Sequence, residues 1–161
     1  MEVTTCREAL ASLLSTEVSS LAELATLLDR EHELLVANDV DTLEAVMAER
    51  QLSVGRLLRA EEERRDLCRM HGRAVDAAGI QQLMAWCDPN GTLKPRWEEC
   101  AKGATRCREL NDRNGALVMA RMRRVESLLT VLTGQPQNAP TYGPKGAYAP
   151  VRSGRVLATE A

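Results

Sequence analysis

The chain carries seven thiol or imidazole side chains, the types best suited to nucleophilic or soft-metal chemistry: Cys6, Cys68, Cys87, Cys100 and Cys107, with His32 and His71. A nucleophilic thiol needs a base beside it. A structural metal needs several soft donors at close spacing. The spacing here supplies neither. No two cysteines stand in a CxxC pattern, and neither histidine has a Cys or His four residues further on. Glu31 and Glu33 flank His32, but adjacent residues diverge on a helix. Both histidines fall in charged helical stretches and are expected to be solvated there. The glycines are scattered and form no phosphate-cradling loop. The run Glu61-Glu62-Glu63 reads as a solvated face. With no acid, base and nucleophile converging, the chain is expected to bind rather than catalyse, with no cofactor and no metal.

A second chemistry is recognition by amides. Asn111 and Asn114 both fall on the apolar seam of the last helical stretch, and Gly115 follows them. Asn is poor inside a helix because its amide competes for the backbone. Gly costs roughly 1 kcal/mol there relative to Ala. Two readings stand side by side. Buried asparagines set the register of packed helices, or they bond a partner's backbone while Gly115 lets that partner approach.

These residues need helices to hold them. The chain has no Phe and only 2% aromatic residues, with Leu, Ala, Val and Met carrying the apolar load. That composition disfavours a sandwich or barrel. Positions 10, 14, 17, 21, 24, 28, 31 and 35 alternate spacings of four and three. All are Leu except Glu17 and Glu31, a coiled-coil seam with two polar interruptions. It places the first helix at about 4–37. Asn38-Asp39-Val40-Asp41 is a turn, and Asp41 with Glu44 reads as a capping box opening a second helix at about 41–71. Its expected inner face is Leu43, Met47, Val54, Leu57, Leu58, Leu67 and Cys68. Folding about residue 38 pairs Glu17 with Arg59. It also brings together Cys6 and Cys68, as free thiols at a frayed end or as an accidental disulfide or metal pair.

Gly72 and Gly79 bracket a joint before a short helix at about 80–87. Asp88-Pro89-Asn90-Gly91 is a turn. A long final helix runs from about 95, with Pro95 in its first turn, to 133, with Gly134 as its stop. Its seam reads Trp97, Cys100, Ala104, Cys107, Asn111, Asn114, Val118, Arg121, Val125, Leu128 and Leu132. The fold class is therefore all-α, a long antiparallel hairpin packed with a short and a long helix. Residues 1–134 form the helical domain and 135–161 a Pro/Gly-rich tail, expected to be disordered.

Charge is uneven although the net is −2. Residues 1–50 carry eleven acidic and three basic side chains, residues 93–134 five acidic and nine basic. Attraction between the first and last long helices within one bundle explains this better than a nucleic-acid face, because acids interrupt the basic residues and aromatics are scarce. An odd number of cysteines, no signal peptide and no membrane-length apolar run point to a reducing cytoplasm and no membrane insertion.

The stretch Leu117–Leu132 is apolar on too many sides for one stripe about 100° wide. Met119 and Met122 suit either an adaptable partner surface or an ordinary core. A dimer, or burial on all sides within the bundle, covers the excess equally well on paper. A structural coiled-coil scaffold competes with a partner-binding role, but gives no reason for the Asn-Gly interruption or for Tyr142 in the tail.

Taken together, the Leu10–Leu35 and Leu43–Leu67 hairpin, the element Asn111-Asp112-Arg113-Asn114-Gly115-Ala116-Leu117, the apolar end Leu128-Leu129-Thr130-Val131-Leu132-Thr133-Gly134 and the tail Thr141-Tyr142-Gly143-Pro144-Lys145-Gly146 resemble the FlgN-type flagellar export chaperones. The resemblance spans nearly the whole chain and assigns no role to residues 147–161. It implies a cytoplasmic chaperone for hook–filament junction proteins of the FlgK and FlgL kind, presented to the flagellar export gate. It implies that Val118, Met119, Met122, Val125, Leu128, Leu129 and Leu132 receive a C-terminal amphipathic cargo helix, with Asn111 and Asn114 beside them. Tyr142 would dock at the gate. A free chaperone of this kind is expected to self-associate weakly.

Overall fold

A computed structural model describes residues 2–134. They form four helices, α1 (Val3–Ala37), α2 (Val40–Met70), α3 (Ala77–Cys87) and α4 (Lys94–Thr133), and no strand occurs among the described residues. The chain divides into two units, Met1–Arg121 and Met122–Ala161.

The α1–α2 turn is closed by local chemistry. Asn38 adopts a left-handed φ of 59°, a conformation open to Gly and Asn. The Asp39 N–H then donates to the Leu34 carbonyl at 3.1 Å, closing the end of α1. The Asp39 carboxylate accepts from the Thr42 N–H at 3.2 Å and caps α2. The cap is thus Asp39 and not Asp41: Asp39 stands just outside the helix with a non-helical φ of −86° and ψ of 88°, while Asp41 is already in the first turn. The ion pairing also differs from the expected one. Glu17 meets Arg64 at 2.8 Å instead of Arg59, Glu31 meets Arg50 at 3.1 Å, and Glu23 meets Arg56.

Every position of the expected α1 seam is buried, Glu17 and Glu31 included. The two carboxylates tolerate burial because each has a guanidinium partner. On α2 the buried row is Val46, Ser53, Ala60 and Leu67, with Cys68. Met47 and Leu58, expected inside, are exposed. The smaller residues face α1 because they let the two backbones approach, and the larger ones turn outward.

α3 begins three residues earlier than the spacing predicts. Asp76 caps it by accepting from the Gly79 N–H at 2.8 Å, an N-cap that an apolar-periodicity reading passes over. Asp88 organises the next turn from a buried position: its carboxylate accepts from the Leu93 N–H at 2.7 Å and from the Thr92 hydroxyl at 2.8 Å. The Leu93 bond, with help from Thr92, holds the Asp88 carboxyl below the usual carboxylate range. Gly134 has a φ of 63° and ends α4 as a C′ glycine does.

Candidate functional site

α4 carries both classes of candidate residue. Its N-terminal part is joined to α1 by a donor every seven residues. The Cys100 thiol donates to the Leu14 carbonyl at 3.6 Å, the Cys107 thiol to the Leu21 carbonyl at 3.3 Å, and the Asn114 amide to the Leu28 carbonyl at 2.8 Å. The constant offset shows that α1 and α4 run parallel with a heptad repeat. Small residues make this approach feasible; a Cβ added to Gly103 would lie 3.1 Å from the Leu21 Cβ. Burial pushes the Cys100 thiol up to about 11, helped by the Glu17 charge, and raises Cys107 as well. Both stay protonated at neutral pH, as weak donors and not nucleophiles.

The two asparagines close this seam from different sides. Asn114 is buried, and its Oδ1 lies 3.1 Å from His32 Nδ1. Asn111 is exposed, and its Oδ1 accepts from Arg50 at 2.7 Å while the same guanidinium holds Glu31. Arg50 therefore ties α1, α2 and α4 together. Of the two readings of these amides, the geometry supports register setting for Asn114, whose amide is already bonded inside the bundle. His32 is half-buried and bonded, not solvated. His71 is also half-buried, its ring 4.8 Å from that of Trp86. The expected attraction between α1 and α4 is visible in Asp29, which pairs with Arg113 at 3.0 Å and with Arg106 at 3.7 Å.

Cys6 and Cys68 are not at a frayed end. Both are buried, and Cys87 of α3 joins them in the core. Burial raises all three thiols, Cys87 to about 11, and a Cys6–Cys87 hydrogen bond partly offsets the rise at Cys6. All five cysteines are free and buried. Among the described residues no group of three or more His, Cys, Asp or Glu is placed to hold a metal. No described helix is long and apolar enough to cross a membrane.

The apolar end of α4 is a different surface. The seam is buried only as far as Asn114. Beyond it, Val118, Met119, Met122, Val125, Leu128, Leu129 and Leu132 are all exposed, from 39% at Val118 to 81% at Leu132. Met122–Gly134, the described part of the second unit, contains no buried residue. Gly115 has no atom within 4 Å of where a Cβ would stand, so its face is open.

Reading the sequence alone missed Leu110, which is almost wholly buried, and the role of Arg50. Leu110 lies one residue from the expected seam position Asn111, and spacing does not separate the two. Arg50 was recoverable in principle, since a buried Glu31 demands a cation. Tyr142 lies outside the described residues.

A family model described as FlgN protein matches residues 1–150, nearly the whole chain. No curated protein and no solved structure matches it.

Proposed function

We propose that this chain, which belongs to the FlgN family of flagellar export chaperones, binds the C-terminal amphipathic helix of hook–filament junction proteins of the FlgK and FlgL kind. It holds them unassembled in the cytoplasm and delivers them to the export gate. The observation that carries this reading is the exposed apolar run from Val118 to Leu132. Covering one Val, Leu or Met side chain is worth about 1.5–3 kcal/mol, so a run of them left in water favours association. An amphipathic cargo helix brings anchors at i, i+3, i+4 and i+7, and α4 offers Val118, Met122, Val125 and Leu129 at matching spacing. Two methionines in the run suit a surface that accepts more than one cargo sequence. Asn111 and Asn114 support the site by holding α4 in register and are not assigned to the cargo.

Calorimetry with a purified junction-protein C-terminal peptide tests the reading. Val125→Asp and Leu129→Asp are expected to abolish binding with the helical content of the chain unchanged. Unchanged affinity in both would count against the site. Tyr142 is proposed as the gate contact, so Tyr142→Ala should keep cargo affinity and reduce secretion. An equal loss of cargo affinity would remove that assignment.

A further inference from the structure

α2 and α4 meet along a seam that leaves a second apolar surface uncovered, within Met1–Arg121. Two contacts define the seam. Arg50 of α2 bonds Asn111 of α4 at 2.7 Å, and the Arg64 guanidinium lies 5.3 Å from the centre of the Trp97 ring. The pairs are fourteen residues apart on both helices, so α2 and α4 run antiparallel in heptad register. That register sets Leu57 opposite Ala104 and, two heptads on, Leu43 opposite Val118.

The outer side of this seam is apolar and open. On α2, Val40, Met47 and Leu58 are exposed and lie on one face, since seven and eleven residues are near-whole numbers of turns. On α4, Val118 is exposed and Gly115 presents no side chain. Three long helices of a bundle are present, and the channel is where a fourth would lie.

Charge decides what fits there. Eleven acids fall in residues 1–50. Glu17, Glu23, Asp29 and Glu31 are matched by arginines. Asp41 and Glu44, beside Val40 on the first turns of α2, form no ion pair among the described residues. Glu44 lies four residues after Val40 and three before Met47, on the same face.

We infer that this α2–α4 channel is a second docking surface, sharing only Val118 with the apolar end of α4, and that its occupant is an amphipathic protein helix whose apolar face is flanked by lysines or arginines. The apolar face covers Val40, Met47, Leu58 and Val118. The basic flank meets Asp41 and Glu44. Gly115 allows the occupant's backbone to come close, which a larger residue there would prevent.

Two synthetic helices of about five turns test this with the full-length protein. One has leucines at helical spacing with lysines between them; the other has the same leucines with glutamates. Calorimetry is expected to show the Lys helix binding at least tenfold more tightly than the Glu helix. Met47→Asp with Val40→Asp should weaken the Lys helix at least tenfold, and both positions are exposed, so the fold is retained by circular dichroism. Asp41→Lys with Glu44→Lys should reverse the preference between the two helices. Leu129→Asp, which tests the apolar end of α4 separately, should leave it unchanged. Equal binding of both helices overturns the inference, as does an unaltered affinity in Val40→Asp/Met47→Asp. Loss on Leu129→Asp alone also overturns it, by placing the helix on the α4 end.

Discussion

α4 is one helix with two opposite relations to water. Between Lys94 and Asn114 it is rich in charge, yet Cys100, Cys107, Leu110 and Asn114 are buried. Between Leu117 and Leu132 it is far more apolar, yet from Val118 onward its large apolar residues are exposed. Hydropathy alone would have reversed these assignments. What buries the first part is complementarity: small seam residues, a donor for an α1 carbonyl every heptad, and arginines that reach Asp29. Burial needs a matching surface as well as an apolar side chain. The second part has the oil and no match among the described residues.

The contrast is most sharply challenged by truncating one leucine in each part. Leu110→Ala removes a buried side chain and should cost about 2–5 kcal/mol of stability, read as a fall in the urea midpoint. Leu128→Ala removes an exposed one and should change stability by no more than about 0.5 kcal/mol. Equal effects would erase the distinction. Next in size is Asn114→Ala, which deletes a buried amide donor and should cost about 1–2 kcal/mol. Asn111→Ala, at an exposed position, should cost less than half of that. The smallest effect is a gain. Gly115→Ala places a methyl in open space and should stabilise the helix by about 0.5–1 kcal/mol. Gly103→Ala meets Leu21 and should fail to give that gain. A larger gain at Gly103 than at Gly115 would mean the tight and open parts of α4 have been confused.

Much of this architecture was legible from spacing. All eight positions of the α1 seam are buried as the alternation of three and four required, and all four helices form close to the expected limits. The excess of apolar residues after Asn114 was also visible, because no single stripe holds them. Less legible was which face of α2 turns inward. Large residues such as Met47 and Leu58 compete with Ser53 and Ala60 for the inner row, and a one-dimensional pattern rewards size where close packing rewards smallness. The partner of Glu17 was misjudged for a related reason. Centring the fold between residues 40 and 41 in place of residue 38 displaces every antiparallel pair by five, from Arg59 to Arg64. The Asn111 and Asn114 amides were recognised as unusual, but only the positions of Arg50, His32 and the Leu28 carbonyl separate a bond within the chain from a bond to a partner.

The three donors from α4 to α1 are not equivalent teeth. Were α4 to slide by one heptad, Cys107 would reach the Leu14 carbonyl much as Cys100 does, and each thiol would replace the other at little loss. Asn114 has no such understudy, because only at Leu28 does it also find His32. The thiols are repeating notches and the amide is the single index mark, so a chain with a third thiol in its place would populate staggered alignments, visible as doubled resonances from α1.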